Sequence, residues 1–147
     1  MPTINTYLTF NGNCEEAFNF YKSVFGGEFS FMGRFADIPS DAGGDSIPED
    51  QKNRVMHVSL PISKETILLG SDTGGEWGAD FKAGNNFSIS ITADSKEQAD
   101  QFFEKLSLGG NVTMPLSDTF WGDYFGSFSD QFGINWMVGY NSQSNQS

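Results

Sequence analysis

FNFYKSVFGGEFS (residues 18–30) and DQFFEKLSLGGNVT (residues 100–113) repeat one pattern: an aromatic pair, a helical stretch and a glycine pair, aligned with one residue of slack. In the first copy Ala17, Tyr21, Val24 and Phe25 recur at helical spacing, and in the second Ala99, Phe102, Phe103 and Leu106 do the same. Asn13 with Glu16, and Ser95 with Gln98, stand as N-cap and third helical residue, so a capping box is expected at each start. Gly26-Gly27 and Gly109-Gly110 then end the helices. A pattern recurring at this distance is the signature of an internal duplication.

Working outward, YLTF (7–10) reads as a strand stopped by the turn residues Asn11, Gly12 and Asn13. EFSFMGRF (28–35) is a second strand. RVMHVSLPI (54–62) sets Met56, Val58, Leu60 and Ile62 against Val55, His57 and Ser59, and pairs as a hairpin with ETILLGS (65–71). In the second half NFSISIT (86–92), NVTMPLS (111–117), DYFGSFS (123–129) and the stretch after the Phe132-Gly133 turn supply four more strands. The last of these puts Trp136 and Val138 on one face and Asn135, Met137 and Gly139 on the other. Each half is thus strand, helix, three strands. A unit this small cannot bury its apolar face alone. The expected fold is α+β: two tandem βαβββ modules forming one curved mixed sheet, with helices on the convex face and a concave cleft.

The expected organisation is one domain over 1–140, with module one at about 1–72, a linker at 73–85, module two at 86–140 and a polar, disordered tail at 141–147. The acidic stretch 36–53, with two prolines and two glycines, reads as a mobile lid or an unstructured excursion. Glycines 74, 75 and 78 are not followed by the Lys-Ser/Thr of a phosphate loop.

Composition narrows the function. Nineteen acids against eight Lys and Arg, a formal charge of -11, repel phosphate backbones, so nucleic acid is not an expected partner. No run approaches the ~18 to 20 apolar residues of a membrane span, and no signal-peptide pattern opens the chain. A cytoplasmic protein without membrane contact is expected. One cysteine, Cys14, and one histidine, His57, exclude an intrachain disulfide, a cysteine metal cluster and a two-histidine site within one chain. Fifteen Phe, four Tyr and three Trp predict a core or pocket rich in rings.

The duplicated unit, FY in the first helix, GG after each helix and D-x-F-G-x-x-W ahead of the last strand together resemble the vicinal-oxygen-chelate superfamily of glyoxalases, extradiol dioxygenases and bleomycin-resistance proteins. YLTFNGNCEEAFNFYKSVFGG, MHVSLPI and DTFWGDYFGSFSDQFGINWMV look most like its PhnB-like branch. Metal-using members place ligands on the first and last strands of each half. Carried over, those positions are Thr6 or Tyr7, Leu69 or Ser71, Ser88, and Met137 where a glutamate is usual. Hydroxyls and a thioether do not replace histidines and carboxylates, so no metal and no cofactor is expected, and metal-dependent lyase or dioxygenase chemistry ranks low. A ubiquinone-methyltransferase label in this branch finds no glycine-rich loop joining a strand to a helix. The resemblance also implies a homodimer.

Among candidate residues, His57 is the one side chain whose ordinary titration lies near neutral pH. It reads either as an acid-base catalyst or as a hydrogen-bonding residue lining a pocket. Tyr7, Ser59, Ser88, Trp121, Phe125 and Met137 complete the expected ligand-binding set, with Trp77 a further ring in a Gly- and Asp-containing segment. Trp121 and Phe125 read equally as pocket walls, core or a dimer contact. Cys14, at a helix start, would be a nucleophile only if its thiolate were favoured there. The leading reading is a metal-independent protein that binds an unknown small molecule. The alternative is a metal-free enzyme with His57 as acid or base.

Overall fold

The computed structural model describes residues 2–74 and 81–141. Trp77, the glycines at 75 and 78 and most of the expected tail lie outside them, as does part of the expected linker. The α+β architecture of tandem βαβββ modules is present. The first runs β1 (Tyr7–Phe10), α1 (Cys14–Phe25), β2 (Phe31–Arg34), β3 (Val55–Pro61) and β4 (Ile67–Asp72). The second runs β5 (Ile89–Thr92), α2 (Lys96–Ser107), β6 (Asn111–Asp118), β7 (Tyr124–Ser129) and β8 (Asn135–Tyr140). The strands hydrogen-bond as two four-stranded sheets, one per module, ordered β1-β4-β3-β2 and β5-β8-β7-β6. In each, the first strand joins the last in parallel and the rest of the ladder is antiparallel. The chain divides into two units at Lys82 and Ala83.

In module one, Leu8, Phe10, Val58, Leu60 and Leu68 are buried with Ala17, Phe18 and Tyr21 of α1. Gly70 is what lets that helix approach: a Cβ there would lie 2.5 Å from the Phe18 ring. Module two repeats the device at Gly126, where a Cβ would lie 2.7 Å from Phe103, whose ring meets Phe128 edge-on at 5.0 Å. Trp136 and Val138 fill this second core beside Ala99 and Leu106.

The parity expected for β3 changes at its start. Val55, not Met56, is fully buried beside Val58 and Leu60. The pairing with β2 slips between Gly33 and Arg34, so an extra residue on β3 turns Val55 inward. Helix starts also differ from expectation. Asn13 occupies the N-cap of α1, yet its side chain makes no cap hydrogen bond. The buried Asp72 carboxylate takes the role, accepting from the amides of Gly12 (2.8 Å), Cys14 (2.9 Å) and Val55 (2.9 Å). A carboxylate is a stronger acceptor than an amide oxygen, and it complements the helix dipole. At α2, Ser95 Oγ accepts from the Gln98 amide at 3.0 Å, while Gln98 Oε1 reaches back to the Asp94 amide at 2.7 Å. The reciprocal bond thus lands one residue earlier than a capping box requires.

The acidic stretch expected as a lid or excursion is built of short 3-10 turns over 35–37, 40–42, 44–46 and 49–51. Phe35 and Ile47 are buried and anchor it. Arg34 braces its entry with a two-pronged bond to Glu15 on α1 (2.7 and 3.0 Å), which holds the Glu15 carboxyl below its ordinary range.

Candidate functional site

The two faces of each sheet differ in kind. One is apolar and covered by the helix of its own module. The other mixes uncharged polar side chains with aromatic, aliphatic and thioether ones.

In module one, sheet register lays Tyr7 beside Leu69, Leu69 beside Ser59 and Ser59 beside Phe31, with His57 opposite Gly33. Alternation along β3 puts His57 and Ser59 on one face, and their side chains meet. Tyr7 Oη lies 3.3 Å from His57 Nδ1, and His57 Nε2 lies 3.2 Å from Ser59 Oγ. The imidazole is held at both nitrogens by hydroxyls. A hydroxyl can donate or accept, so both bonds can form whichever ring nitrogen carries a proton. Tyr7 and Phe31 flank the imidazole at centroid distances of 5.7 and 5.8 Å. Gly33 makes room for the second of these rings, since a Cβ there would lie 3.0 Å from Phe31. Tyr7 remains 47% and Phe31 50% exposed, so two ring surfaces are offered to solvent beside a polar centre.

In module two, Met137 lies between Ser90 of β5 and Ser127 of β7. Ser127 shares a 2.8 Å hydrogen bond with Thr113 of β6, and Ser129 Oγ donates to Asn135 Oδ1 at 2.8 Å. Ser88 falls ahead of β5 rather than in it, and is exposed; Ser90 holds the position beside Met137. Phe125 pairs with Gly139 and stands 6.4 Å from Trp121. Trp121 is 52% exposed, so it is not core filling, and its indole N–H donates to Asp123 at 2.8 Å. Phe120 packs edge-on against it at 4.9 Å and is 98% exposed.

The structure therefore brings Tyr7, His57 and Ser59 together, and separately Trp121 with Phe125. Phe31, Thr113 and Ser127 were not among the expected residues. Phe31 could be read from alternation in FSFMGRF; the Thr113–Ser127 bond depends on a pairing with irregular register and had no local signal.

The positions that hold metal in metal-using relatives do not fit such an ion here. They present a phenol, hydroxyls, an aliphatic side chain and a thioether, donors unsuited to a hard or borderline divalent cation. Among the described residues no group of three or more His, Cys, Asp or Glu is placed to hold one. Cys14 is also no nucleophile: burial first, then Asp72 and Glu15, push its thiol far above the ordinary range and hold it protonated. A thiol reagent at neutral pH is expected to leave Cys14 untouched in the folded protein and to modify it fully in urea. Stoichiometric labelling of the native state would contradict this environment.

Residues 3–138 match the model of the Glyoxalase/Bleomycin resistance protein/Dioxygenase superfamily. Protein YjdN of Escherichia coli strain K12 is 27% identical over 143 residues, 94% of each chain. Among solved structures, protein PA1353 from Pseudomonas aeruginosa superposes with a TM-score of 0.82 at 38% identity, covering 96% of this chain and 98% of that one. A Bacillus cereus PhnB protein, named a putative 3-demethylubiquinone-9 3-methyltransferase, gives 0.74 at 26% identity, covering 95% and 99%. Among the described residues, no helix is long and apolar enough to cross a membrane.

Proposed function

The chain belongs to the Glyoxalase/Bleomycin resistance protein/Dioxygenase superfamily, and from that premise we propose that it binds a small organic molecule without a metal, as a cytoplasmic homodimer. The observation that carries this reading is the Tyr7–His57–Ser59 chain with the Tyr7 and Phe31 rings beside the imidazole: ring faces for stacking next to hydrogen-bonding groups, with no metal-type donor set. Module two supports it with the hydroxyl and thioether row around Met137 and with the exposed Trp121 ring.

A methyltransferase activity, which the name of the Bacillus cereus protein suggests for that protein, has no support in the β1–α1 turn of this chain. That turn is Asn11-Gly12-Asn13, and the Gly12 and Cys14 amides are already taken by Asp72 rather than aimed at a donor's phosphate or carboxylate.

Thermal-shift screening against planar aromatic compounds and against Ni, Zn and Fe separates the readings. Stabilisation by an aromatic compound, unchanged by a chelator, is expected. Retention of stoichiometric metal with chelator-sensitive activity would overturn metal independence, and a monomer in size-exclusion chromatography would overturn the dimer.

One observation favours a second reading, in which the same site turns a substrate over. A histidine held at both ring nitrogens by hydroxyls is positioned to pass a proton. On this reading His57→Ala folds normally and loses about 10²–10⁴-fold in turnover of a substrate found by screening. On the binding reading the same variant weakens ligand affinity and there is no turnover to lose. A folded His57→Ala protein with unchanged turnover removes the acid-base role.

A further inference from the structure

The sequence contains one Asn-Gly pair, Asn11-Gly12, in the turn between β1 and α1. Glycine after asparagine leaves the next backbone nitrogen without a Cβ to hinder its approach to the side-chain amide carbon. We propose that Asn11 is a deamidation site which the fold holds shut, with Asp72 as its guard.

Both residues are exposed, so burial gives no protection. Bonds do. The Gly12 nitrogen, which would be the nucleophile, donates to Asp72 Oδ1 at 2.8 Å. Losing its proton there would place an amide anion against a carboxylate, a like-charge contact. The electrophile is tied as well: Asn11 Oδ1 accepts from Thr73 Oγ1 at 2.6 Å and from Arg54 Nη1 at 3.4 Å. Gly12 has φ +114, a backbone conformation that a side-chain-bearing residue rarely adopts.

When the turn opens, the Gly12 nitrogen attacks Asn11 Cγ. A C–N bond forms, the bond to the side-chain nitrogen breaks, that nitrogen leaves as ammonia with the proton the Gly12 amide has given up, and a succinimide remains. Water, the one co-reactant, then adds hydroxyl to either ring carbonyl carbon; the bond from that carbon to the ring nitrogen breaks, and the nitrogen takes the remaining proton of the water. The products are aspartate in a normal chain, or isoaspartate with the chain routed through the side-chain carbonyl. Their consequences differ. Aspartate keeps an oxygen for Thr73 and Arg54. Isoaspartate inserts an extra backbone carbon just after Phe10, the residue that pairs with Asp72 and accepts from the Thr73 amide. Isoaspartate at residue 11 therefore unlatches β1, which carries Tyr7.

The test follows residue 11 by peptide mapping and isoaspartate detection, with the wild-type chain aged at one mildly alkaline pH both folded and in urea. Deamidation in the folded protein is expected to be at least about tenfold slower, the factor that 1.4 kcal/mol of local opening sets. Equal rates overturn the proposal. Thr73→Val, which removes the shorter of the two bonds holding the Asn11 side chain and leaves Asp72 in place, is expected to speed the folded rate several-fold. A folded Asp72→Asn protein is expected to be faster still, and an unchanged rate there removes Asp72 as the guard. Should Asp72→Asn not fold, hydrogen exchange of the wild-type Gly12 amide decides the same point. Protection like that of the Cys14 amide supports the guard, and an unprotected amide overturns it.

Discussion

Asp72→Ala is expected to lower the free energy of unfolding by about 3–5 kcal/mol, because it leaves buried backbone donors without their acceptor. Asp72 is 4% exposed and accepts from three amides on three segments: Gly12 in the turn, Cys14 in the first turn of α1, and Val55 at the start of β3. Of these the Cys14 and Val55 bonds are buried. Each such donor left dry costs about 1–3 kcal/mol, and water reaching it must first open the core. Asp72→Asn keeps an acceptor oxygen but turns an NH2 toward one of the donors, so a smaller loss is expected. Urea unfolding followed by circular dichroism measures both. A loss under about 1 kcal/mol for the alanine variant would show that the three amides find other partners, and the latch between α1 and β3 would have to be abandoned.

Module two turns on a similar centre, and Trp136→Ala is expected to cost about 3–5 kcal/mol there. The Trp136 ring is 2% exposed, and its indole N–H donates to Asp130 Oδ2 at 2.8 Å. The other oxygen of Asp130 accepts from the amides of Phe132 (2.8 Å) and Ile134 (3.0 Å), so one carboxylate folds the β7–β8 turn and fixes the tryptophan. Alanine removes the largest fully buried side chain among the described residues and one of the Asp130 bonds together. Trp136→Phe separates the two contributions: most apolar volume stays while the indole donor goes, and about 1–3 kcal/mol is expected. If phenylalanine and alanine cost the same, the hydrogen bond rather than packing dominates. If phenylalanine costs nothing, Asp130 does not depend on the indole.

These two carboxylates also mark where sequence reasoning stops. Asp72 is 60 positions from Gly12, and nothing within reach of the β1–α1 turn announces it, so Asn13 with Glu16 looked like a sufficient cap. Asp130 was legible only as part of D-x-F-G-x-x-W, a family signature, and its bonds give that spacing its physical sense. For Met56 and Val55 the alternation was right in type and wrong in phase, since a bulge at β2–β3 is set by the pairing of two strands and not by either alone. The turns of 35–51 were hidden for a related reason: four 3-10 turns leave no periodicity to detect, and the two residues that anchor them, Phe35 and Ile47, are single apolar positions.

The candidate site divides in the same way. Period-two alternation placed His57 and Ser59 on one face and Met137 opposite Trp136, because side-chain direction in a strand is a local property. Ser88 was counted into a strand that begins one residue later. That Tyr7 reaches His57 across β4, that Phe31 lies over Gly33, and that Thr113 meets Ser127 are matters of register between strands distant in the chain. By itself, the sequence determined the duplicated helix-and-glycine pattern, the α+β modules, the parity of most strands and the lack of metal-type donors at the ligand positions. Those are consequences of residue type and short spacing. Only the tertiary structure decided which hydroxyls hold the histidine and which carboxylates hold the two modules' turns, because a hydrogen bond needs atoms within about 3 Å and only folding brings residues 50 or 60 positions apart to that distance.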